Sequence, residues 1–475
     1  MPDQTISKTD FLVFCECPKH FWAVKHGYPS AEPLTAMDQF RMQQGQQVEQ
    51  LALDFIEQHI LPRYAHAQLL WQHTATHDGF LARSDVLIFD ETADEYDLYE
   101  IKSSTSVHKE HLPDAAFQCE VFSNTLRIRN VYIVHLNAEY RIQEALDLAE
   151  LFRCEDITGQ VMELQPSIAL LMQAARQALQ LDSHDTLEHC RKPDTCPFPD
   201  VCHPDLPDHP IYEISRLHKT KAILLEEMGV QAIQEIPPDF KLSEKQQAYV
   251  DVVKEETAYI DREAIRNWCA QLCYPLYFLD YETCNPALPV FKGYKPNQHI
   301  VFQYSLHVLS IPDGELKHVE YIHPDWSDPA PVLLDHLMQH ITPGGSVIVW
   351  NKGFECSRNN ELAEIHTGYA QFLEGVNGHA VDLMEVFSQG MYIHPDFHGS
   401  ASIKKVLPVL VPELNYNVLA IQKGDEASIV WWEMVQGEIA SQEKQATINS
   451  LLQYCELDTL AMVRIYLTLT KLLAG

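Results

Sequence analysis

A chain of 475 residues is too long for one small module and, at roughly 150 residues per domain, sets an expectation of about three domains or two large ones. Hydrophobic residues at 46% and aromatics at 10% supply ample core material and exclude a disordered chain. With 34 Lys plus Arg against 67 Asp plus Glu the formal net charge is -33, which repels phosphate; any nucleic-acid chemistry must come from local basic groups or bound cations.

The opening text, MPDQTISKTDFLVF, has an acid at position 3 and no basic region followed by an apolar run, so no secretory signal is expected. No apolar stretch reaches the roughly 18 residues that a bilayer span requires, and the chain reads as cytoplasmic with no membrane partner. Helical text runs from Lys8 to Val24. Further on, ARSDVLIFDETADEYDLYEIKSST predicts two strands joined by an acidic turn region, Asp90 to Asp97. On the second strand Glu100 and Lys102 share a face while Ile101 points away, and Asp85, at the start of the first strand, comes alongside them. Two carboxylates beside a lysine suit a divalent cation and an activated water, with Lys102 orienting that water or answering developing negative charge. The plainer alternative is a solvated hairpin with a surface ion pair.

The first block closes on HCRKPDTCPFPDVCHPDLPDHP, where prolines mark a loop and a boundary. Cys190, Cys196 and Cys202 are clustered too tightly for a disulfide framework and suggest metal in a reducing compartment. Cys17 in CPKHFW supplies a fourth thiolate, with Cys15 as its competitor. A zinc completed by His189 or His203, or buried free thiols, are the alternatives. Cys119, Cys154 and the five later cysteines read as packing residues.

From Ile211 to Arg266 polar helical periodicity, with Leu217, Ile223, Leu224 and Leu225 leading to Gly229 and Pro237-Pro238, predicts a short helical connector that stops at Gly229. Near Tyr274 a second block opens with YPLYFLDYET, a strand placing Asp280 and Glu282 on one side. Buried same-face carboxylates are costly unless a cation or solvent compensates. A strand SVIVW leads into NKGFECSRNNELAEI, with Asn351 at the turn and Glu355 in the first helical turns. HAVDLMEVF then offers Asp382. The last helix, roughly Ala446 to Leu473, stacks Tyr454 and Asp458 one turn apart. Strands alternating with amphipathic helices indicate an α/β domain. Between these motifs, Ser402, Lys404 and Lys405 can touch phosphate or simply begin a solvated helix, and His394 and His398 shape a turn.

Asp85, Glu100-x-Lys102 and the downstream Gln118 with Phe122 four residues on resemble the PD-(D/E)xK nucleases of the RecB and Cas4 type, although that family usually has tyrosine at the Phe122 position. Its helix histidine is missing from GQQVEQLALDF, where Glu49 is the nearest candidate ligand. One early and three late cysteines resemble the Cas4 and AddB arrangement, which implies a 4Fe-4S cluster on Cys17, Cys190, Cys196 and Cys202, although the spacing lacks the close cysteine pair of those relatives. Asp280-x-Glu282, an acid after an Asn-containing turn, and Tyr454-x3-Asp458 resemble the tyrosine subtype of the DnaQ-like exonucleases. There four acids hold two metal ions about 4 Å apart, and Tyr454 would orient the water. Glu355 stands where that family has aspartate, and Asp382 is the alternative partner.

Together with FQYSLHVL, GSVIVWNKGFE and HPDFHGSASIKKVLP, these motifs resemble the bacterial DUF2779 proteins. The resemblance implies an α/β chain of three parts. These are a PD-(D/E)xK restriction-endonuclease-like domain with an iron–sulfur cluster (1–205), a helical connector (206–270) and an RNase H-like, DnaQ-type domain (271–475). It further implies a Mg²⁺- or Mn²⁺-dependent nuclease acting on ends or single strands, with DNA ahead of RNA as partner, in DNA repair, recombination or defence. The competing expectation is a non-catalytic scaffold, stapled by an iron–sulfur cluster or zinc, that binds nucleic acid or protein.

Overall fold

The computed structural model describes residues 5–31, 34–416, 419–421, 423–437 and 441–474; Asp3, the acid near the start of the sequence, lies outside them. The chain divides into two compact units, Met1–Asp205 with Pro286–Gln298, and Leu206–Asn285 with His299–Gly475, each built of helices and mixed sheets. The expected connector is not a third body. Ile211, Ile214, Leu225, Ile233, Tyr249 and Val250 bury one another, and the stretch is part of the second unit.

In the first unit Ser7 caps helix α1 (Lys8–Glu16), its hydroxyl accepting the Asp10 N–H while Asp10 answers the Ser7 N–H. The helical text does not run on unbroken to Val24. Pro18 lacks an N–H and opens a new helix, α2 (Pro18–Lys25), which leaves Cys17 buried at the junction. After α3 (Ala36–Phe55) come strands β1 (Ala67–Trp71), β2 (Val86–Asp90), β3 (Glu95–Lys102), β4 (Ile128–Leu136) and β5 (Phe152–Asp156), hydrogen-bonded in that order. All pairings are antiparallel except β3 with β4. That parallel pair requires a crossover, supplied by α4 (His111–Ser123).

Strand alternation sorts this sheet into two cores. Val86, Ile88, Tyr99, Ile101 and Val134 pack with Val48, Ala52 and Phe55 of α3. Leu87, Leu98, Val131 and Ile133 pack on the other face with Phe117, Val121 and Phe122 of α4. Glu100 has the parity of Leu98 and therefore faces α4.

The second unit carries β6 (Leu276–Cys284), β7 (Ile300–Leu309), β8 (Leu316–Ile322), β9 (Ser346–Val349) and β10 (Ala380–Asp382), in the spatial order β8-β7-β6-β9-β10. The first three are antiparallel, and β6, β9 and β10 are mutually parallel neighbours. Tyr277, Leu279 and Tyr281 of β6 enter a core with Leu333 and Leu334 of helix α5 (Ala330–Met338) and with Val347 and Val349 of β9. The opposite parity, Phe278, Asp280 and Glu282, faces the long terminal helix. Helices α6 (Lys352–Ile365), α7 (Ile403–Leu410) and α8 (Ser441–Ala474) complete the surroundings of the acids. Along α8 the buried residues Leu451, Tyr454, Cys455, Met462, Ile465, Tyr466 and Leu469 recur at helical spacing, and Gln303 Nε2 on β7 donates to Leu451 O at 2.9 Å. Among the described residues no helix is long and apolar enough to cross a membrane.

Candidate functional site

In the second unit β6 delivers Asp280 and Glu282, and α8 delivers Tyr454, Cys455 and Asp458. Donor atoms of Asp280, Glu282 and Cys455 lie within 4.8 Å of one another. Glu355 comes from the first turn of α6, where the helix N-terminus favours a carboxylate. Its Oε2 is buried with no hydrogen-bond partner. Burial, and then the charges of the neighbouring acids, hold the carboxyls of Asp280, Glu282 and Glu355 well above the ordinary carboxylate range. Burial raises Asp458 to about 6, against the pull of Tyr416, Lys404 and Tyr454. The Tyr416 hydroxyl donates to Asp458 Oδ1 at 2.6 Å. Lys404 Nζ lies 3.4 Å from the Tyr454 hydroxyl and over the rings of Tyr416 and Tyr454.

Asp382, the alternative metal partner, is committed elsewhere. Its Oδ1 accepts the N–H groups of Asn351 at 3.2 Å and Met384 at 3.0 Å, and its Oδ2 accepts that of Lys352 at 3.0 Å. It is the anion that secures the entry to α6, and the convergent set is Asp280, Glu282, Glu355 and Asp458. Lys405 and Ser402 are exposed. His398 sits at a left-handed φ of 50 and bonds Glu213 at 2.8 Å, a turn-shaping role.

In the first unit β2 and β3 bring Asp85 beside Glu100 and Lys102, and α4 adds Gln118. Asp85 Oδ2 accepts the Ile101 N–H at 2.7 Å, and Gln118 Nε2 donates to Glu100 Oε2 at 2.5 Å. Two further residues complete the group. Lys8, the first residue of α1, is 2.8 Å from Glu100 Oε1 and 3.1 Å from Asp114 Oδ1. Lys102 bonds Glu100 at 2.8 Å and also Asp114. Three carboxylates thus face two ammonium groups. Burial alone would raise Glu100, but Lys102 and Lys8 hold it below its ordinary value. Asp85 is raised, by burial and then by Glu100. Glu49 is not in this contact set; its Oε1 accepts from Gln72 at 3.2 Å. Phe122 is fully buried in the core.

The cysteines converge. Cys17, Cys196 and Cys202 pack together against Cys190, and Cys17, His20, Cys190 and Cys202 place donor atoms within 4.8 Å of one another. Cys15 is exposed, which decides between the two early candidates, and all twelve cysteines are free thiols. His20 Nε2 is 3.2 Å from Cys196 Sγ and His203 Nε2 is 3.4 Å from Cys190 Sγ. His189 Nδ1 instead bonds the Cys190 carbonyl at 2.7 Å. Four convergent cysteines, with His20 among them and His203 beside Cys190, form a donor set that can bind a metal.

Five contributors were not foreseen, among them Cys455, which reads in the sequence as a packing residue. Asp114 lies four residues before Gln118, and His20 three after Cys17, so helical spacing could have found both. Lys8 and Tyr416 carry no local signal, since only the fold brings them in.

Residues 277–402, which include Asp280, Glu282, Glu355 and Asp382, match the family described as Domain of unknown function (DUF2779). Among curated relatives, the Uncharacterized protein MG366 homolog of Mycoplasma pneumoniae is 28% identical over 208 residues, 40% of this chain and 31% of that protein. Uncharacterized protein MG366 of Mycoplasma genitalium is 25% identical, over 47% of this chain and 36% of its own length. Uncharacterized protein UU173 of Ureaplasma parvum is 25% identical, over 48% and 36% respectively. The chain therefore spans about a third of the length of the curated relatives it matches. A solved structure titled "Crystal structure of SSO0001" aligns with 44% of this chain and 89% of its own at 16% identity and a TM-score of 0.23.

Proposed function

We propose that this protein is a divalent-metal-dependent nuclease that hydrolyses phosphodiester bonds, in DNA ahead of RNA, at the acidic centre of its second unit. One observation carries the reading: four carboxylates converge, Glu282 and Glu355 buried and Asp280 and Asp458 half-buried, with Glu355 Oε2 unpartnered. Uncompensated charge of that density is sustained by bound cations or by protons, and oxygen ligands of this kind suit Mg²⁺ or Mn²⁺.

Asp280, Glu282, Glu355 and Asp458 would hold the metal, which supplies a water of lowered pKa and a polarised phosphoryl oxygen. Tyr454, beside Lys404, orients the attacking water. Tyr416 fixes the Asp458 carboxylate by its hydrogen bond. Lys404 adds positive charge at the mouth of an otherwise acidic centre and draws in the substrate phosphate. Asp85, Glu100 and Lys102, with Gln118 and Asp114, form a second hydrolytic centre of the PD-(D/E)xK type. Cys17, Cys190, Cys196 and Cys202 would hold a 4Fe-4S cluster, which would staple the first unit. His20, close to all of Cys17, Cys190 and Cys202, favours zinc as the alternative occupant.

A second reading has a specific observation behind it. Lys8 and Lys102 already answer the charge of Glu100 and Asp114, which favours a structural first-unit set. Cleavage of 5′- and 3′-labelled single-stranded DNA with Mn²⁺ separates the readings. Activity surviving Asp85→Ala or Asp280→Ala alone and vanishing in the double variant is expected of two working centres. Complete loss in Asp280→Ala assigns all hydrolysis to the second unit. Folded protein that carries its cysteine-bound metal yet cleaves neither DNA nor RNA with any divalent ion would overturn the nuclease.

A further inference from the structure

On the β7–β8 face of the second unit, outside the acidic centre, His307 and His318 stack at 4.4 Å with their rings 25° apart, and both lie beside Glu456 of α8. Donor atoms of the three residues fall within 4.8 Å of one another. His307 is buried.

A hydrogen-bond chain fixes which nitrogen of each ring is bare. The Thr459 hydroxyl donates to the Glu456 carbonyl at 3.1 Å, so its single proton is spent. The Ser305–Thr459 contact at 2.7 Å must then use the serine proton. With both hydroxyl protons assigned, the imidazoles are the donors in the two remaining bonds. His307 Nδ1 gives its proton to Thr459 at 2.8 Å, and His318 Nε2 gives its proton to Ser305 at 2.9 Å. This is the one assignment that makes all four bonds, and it leaves lone pairs on His307 Nε2 and His318 Nδ1.

The bare His318 Nδ1 is 3.6 Å from Glu456 Oε1, lone pair toward carboxylate. Glu320 Oε2 lies 3.9 Å from His318 Nε2 and is buried with no hydrogen-bond partner. Burial keeps both imidazoles below their ordinary pKa, in the neutral form that ligates metal. Imidazoles held by a hydroxyl on one nitrogen and bare on the other have the outer-shell arrangement of metal-ligating histidines. The other histidine trio of this unit has no such demand. Glu213 accepts from His209 at 3.0 Å, Tyr249 at 2.8 Å and His398 at 2.8 Å, which satisfies its carboxylate internally.

We propose that His307 Nε2, His318 Nδ1 and the Glu456 carboxylate bind one first-row divalent cation of the zinc class, with Glu320 able to reach it as a fourth ligand. Mixed nitrogen and oxygen donors set this site apart from both the all-oxygen centre and the thiolate cluster, and they prefer zinc-like ions over Mg²⁺. The proposal does not depend on nuclease activity.

The test is zinc content. The full-length chain is stripped with a chelator, incubated with Zn²⁺ and desalted, and zinc per chain is counted for wild type, His318→Gln and Glu456→Gln. Co²⁺ titrations run in parallel identify thiolate-bound metal by its sulfur-to-metal charge-transfer band. The expected result is one fewer zinc per chain in each variant, with that band unchanged and the metal-free unfolding temperature retained. Glu456 is substantially exposed, so its glutamine variant preserves the fold even if a change at His318 does not. Equal zinc content and equal Co²⁺ spectra in wild type and Glu456→Gln would overturn the proposal.

Discussion

The two acidic centres are built from similar residues, yet their charge is answered differently. In the first unit Glu100 Oε1 lies 2.8 Å from both Lys8 and Lys102, and its proton affinity falls below that of a free carboxyl. In the second unit three carboxyls are pushed the other way, with the Arg358 charge pulling only partly against the rise at Glu355, and the Lys404 ammonium stands off at Tyr454. One centre carries its cations in its own sequence, and the other answers its charge with protons or, on the proposed reading, with cations taken from solution. Counting acids therefore says less about metal demand than asking which acids already have a partner.

The largest effect that can break this contrast is catalytic. Asp280→Asn is expected to lower Mn²⁺-dependent cleavage of labelled single-stranded DNA by about 10³-fold, the several kcal/mol that a bound metal contributes, with the first-unit centre supplying the cleavage that survives. Glu100→Gln in the same assay should cost markedly less; an equal loss would erase the distinction. Next comes the cysteine cluster. Cys17→Ser should remove its bound metal and destabilise the first unit by about 4 kcal/mol, roughly 10 °C in unfolding temperature. Cys15→Ser, at an exposed position, should change neither, as elemental analysis and thermal unfolding will show.

Smaller is the effect of Lys8→Met. Removing one partner of a deeply buried ion pair costs 3–5 kcal/mol, and the partial exposure of Lys8 reduces this to about 2 kcal/mol. Urea unfolding with Mg²⁺ should recover part of the loss in the variant and add less to wild type, because the vacated place beside Glu100 and Asp114 then accepts a cation.

The smallest effect is a pH dependence. Asp458 has a folded value of about 6, above the value near 4 of an unfolded carboxyl. The metal-free native state therefore binds a proton that the unfolded chain releases first. Stability is favoured below about pH 4 and declines as pH rises toward 6. Asp458→Asn lacks that loss, so its unfolding temperature should gain on wild type by a few degrees between pH 4 and 7, and Mn²⁺ should abolish the gain. Glu100 works in the opposite sense. Its lowered value gives stability present above about pH 4 that is lost as pH falls.

The second centre was largely legible in the sequence because its ligands sit in regular elements: Asp280 and Glu282 alternate along a strand, and Tyr454 and Asp458 stack on a helix. Asp382 misled because an acid at a strand end serves a helix N-terminus as readily as a cation, and spacing does not distinguish the two. Lys8 was hidden for a different reason. It meets Glu100 across 92 residues of chain, an encounter set by how α1 docks and not by any local period. Pro18 was in plain view, and its missing N–H already implied the break that seats Cys17. The expected connector looked separate because its text is polar and helical, whereas its few apolar residues suffice for a core once the fold gathers them.

Helix α8 runs for 34 residues, about 51 Å, and carries Asp458 toward the acids and Glu456 and Thr459 toward the histidines. It acts as a common camshaft for two stations, because both sets of side chains are phased by one rotation. Inserting a single residue before Leu451 would turn every downstream group by about 100° relative to the upstream turns, and a seven-residue insertion, which restores the phase to within about 20°, would still displace them by about 10.5 Å along the axis. Any insertion transmitted along this segment should therefore disable both stations together.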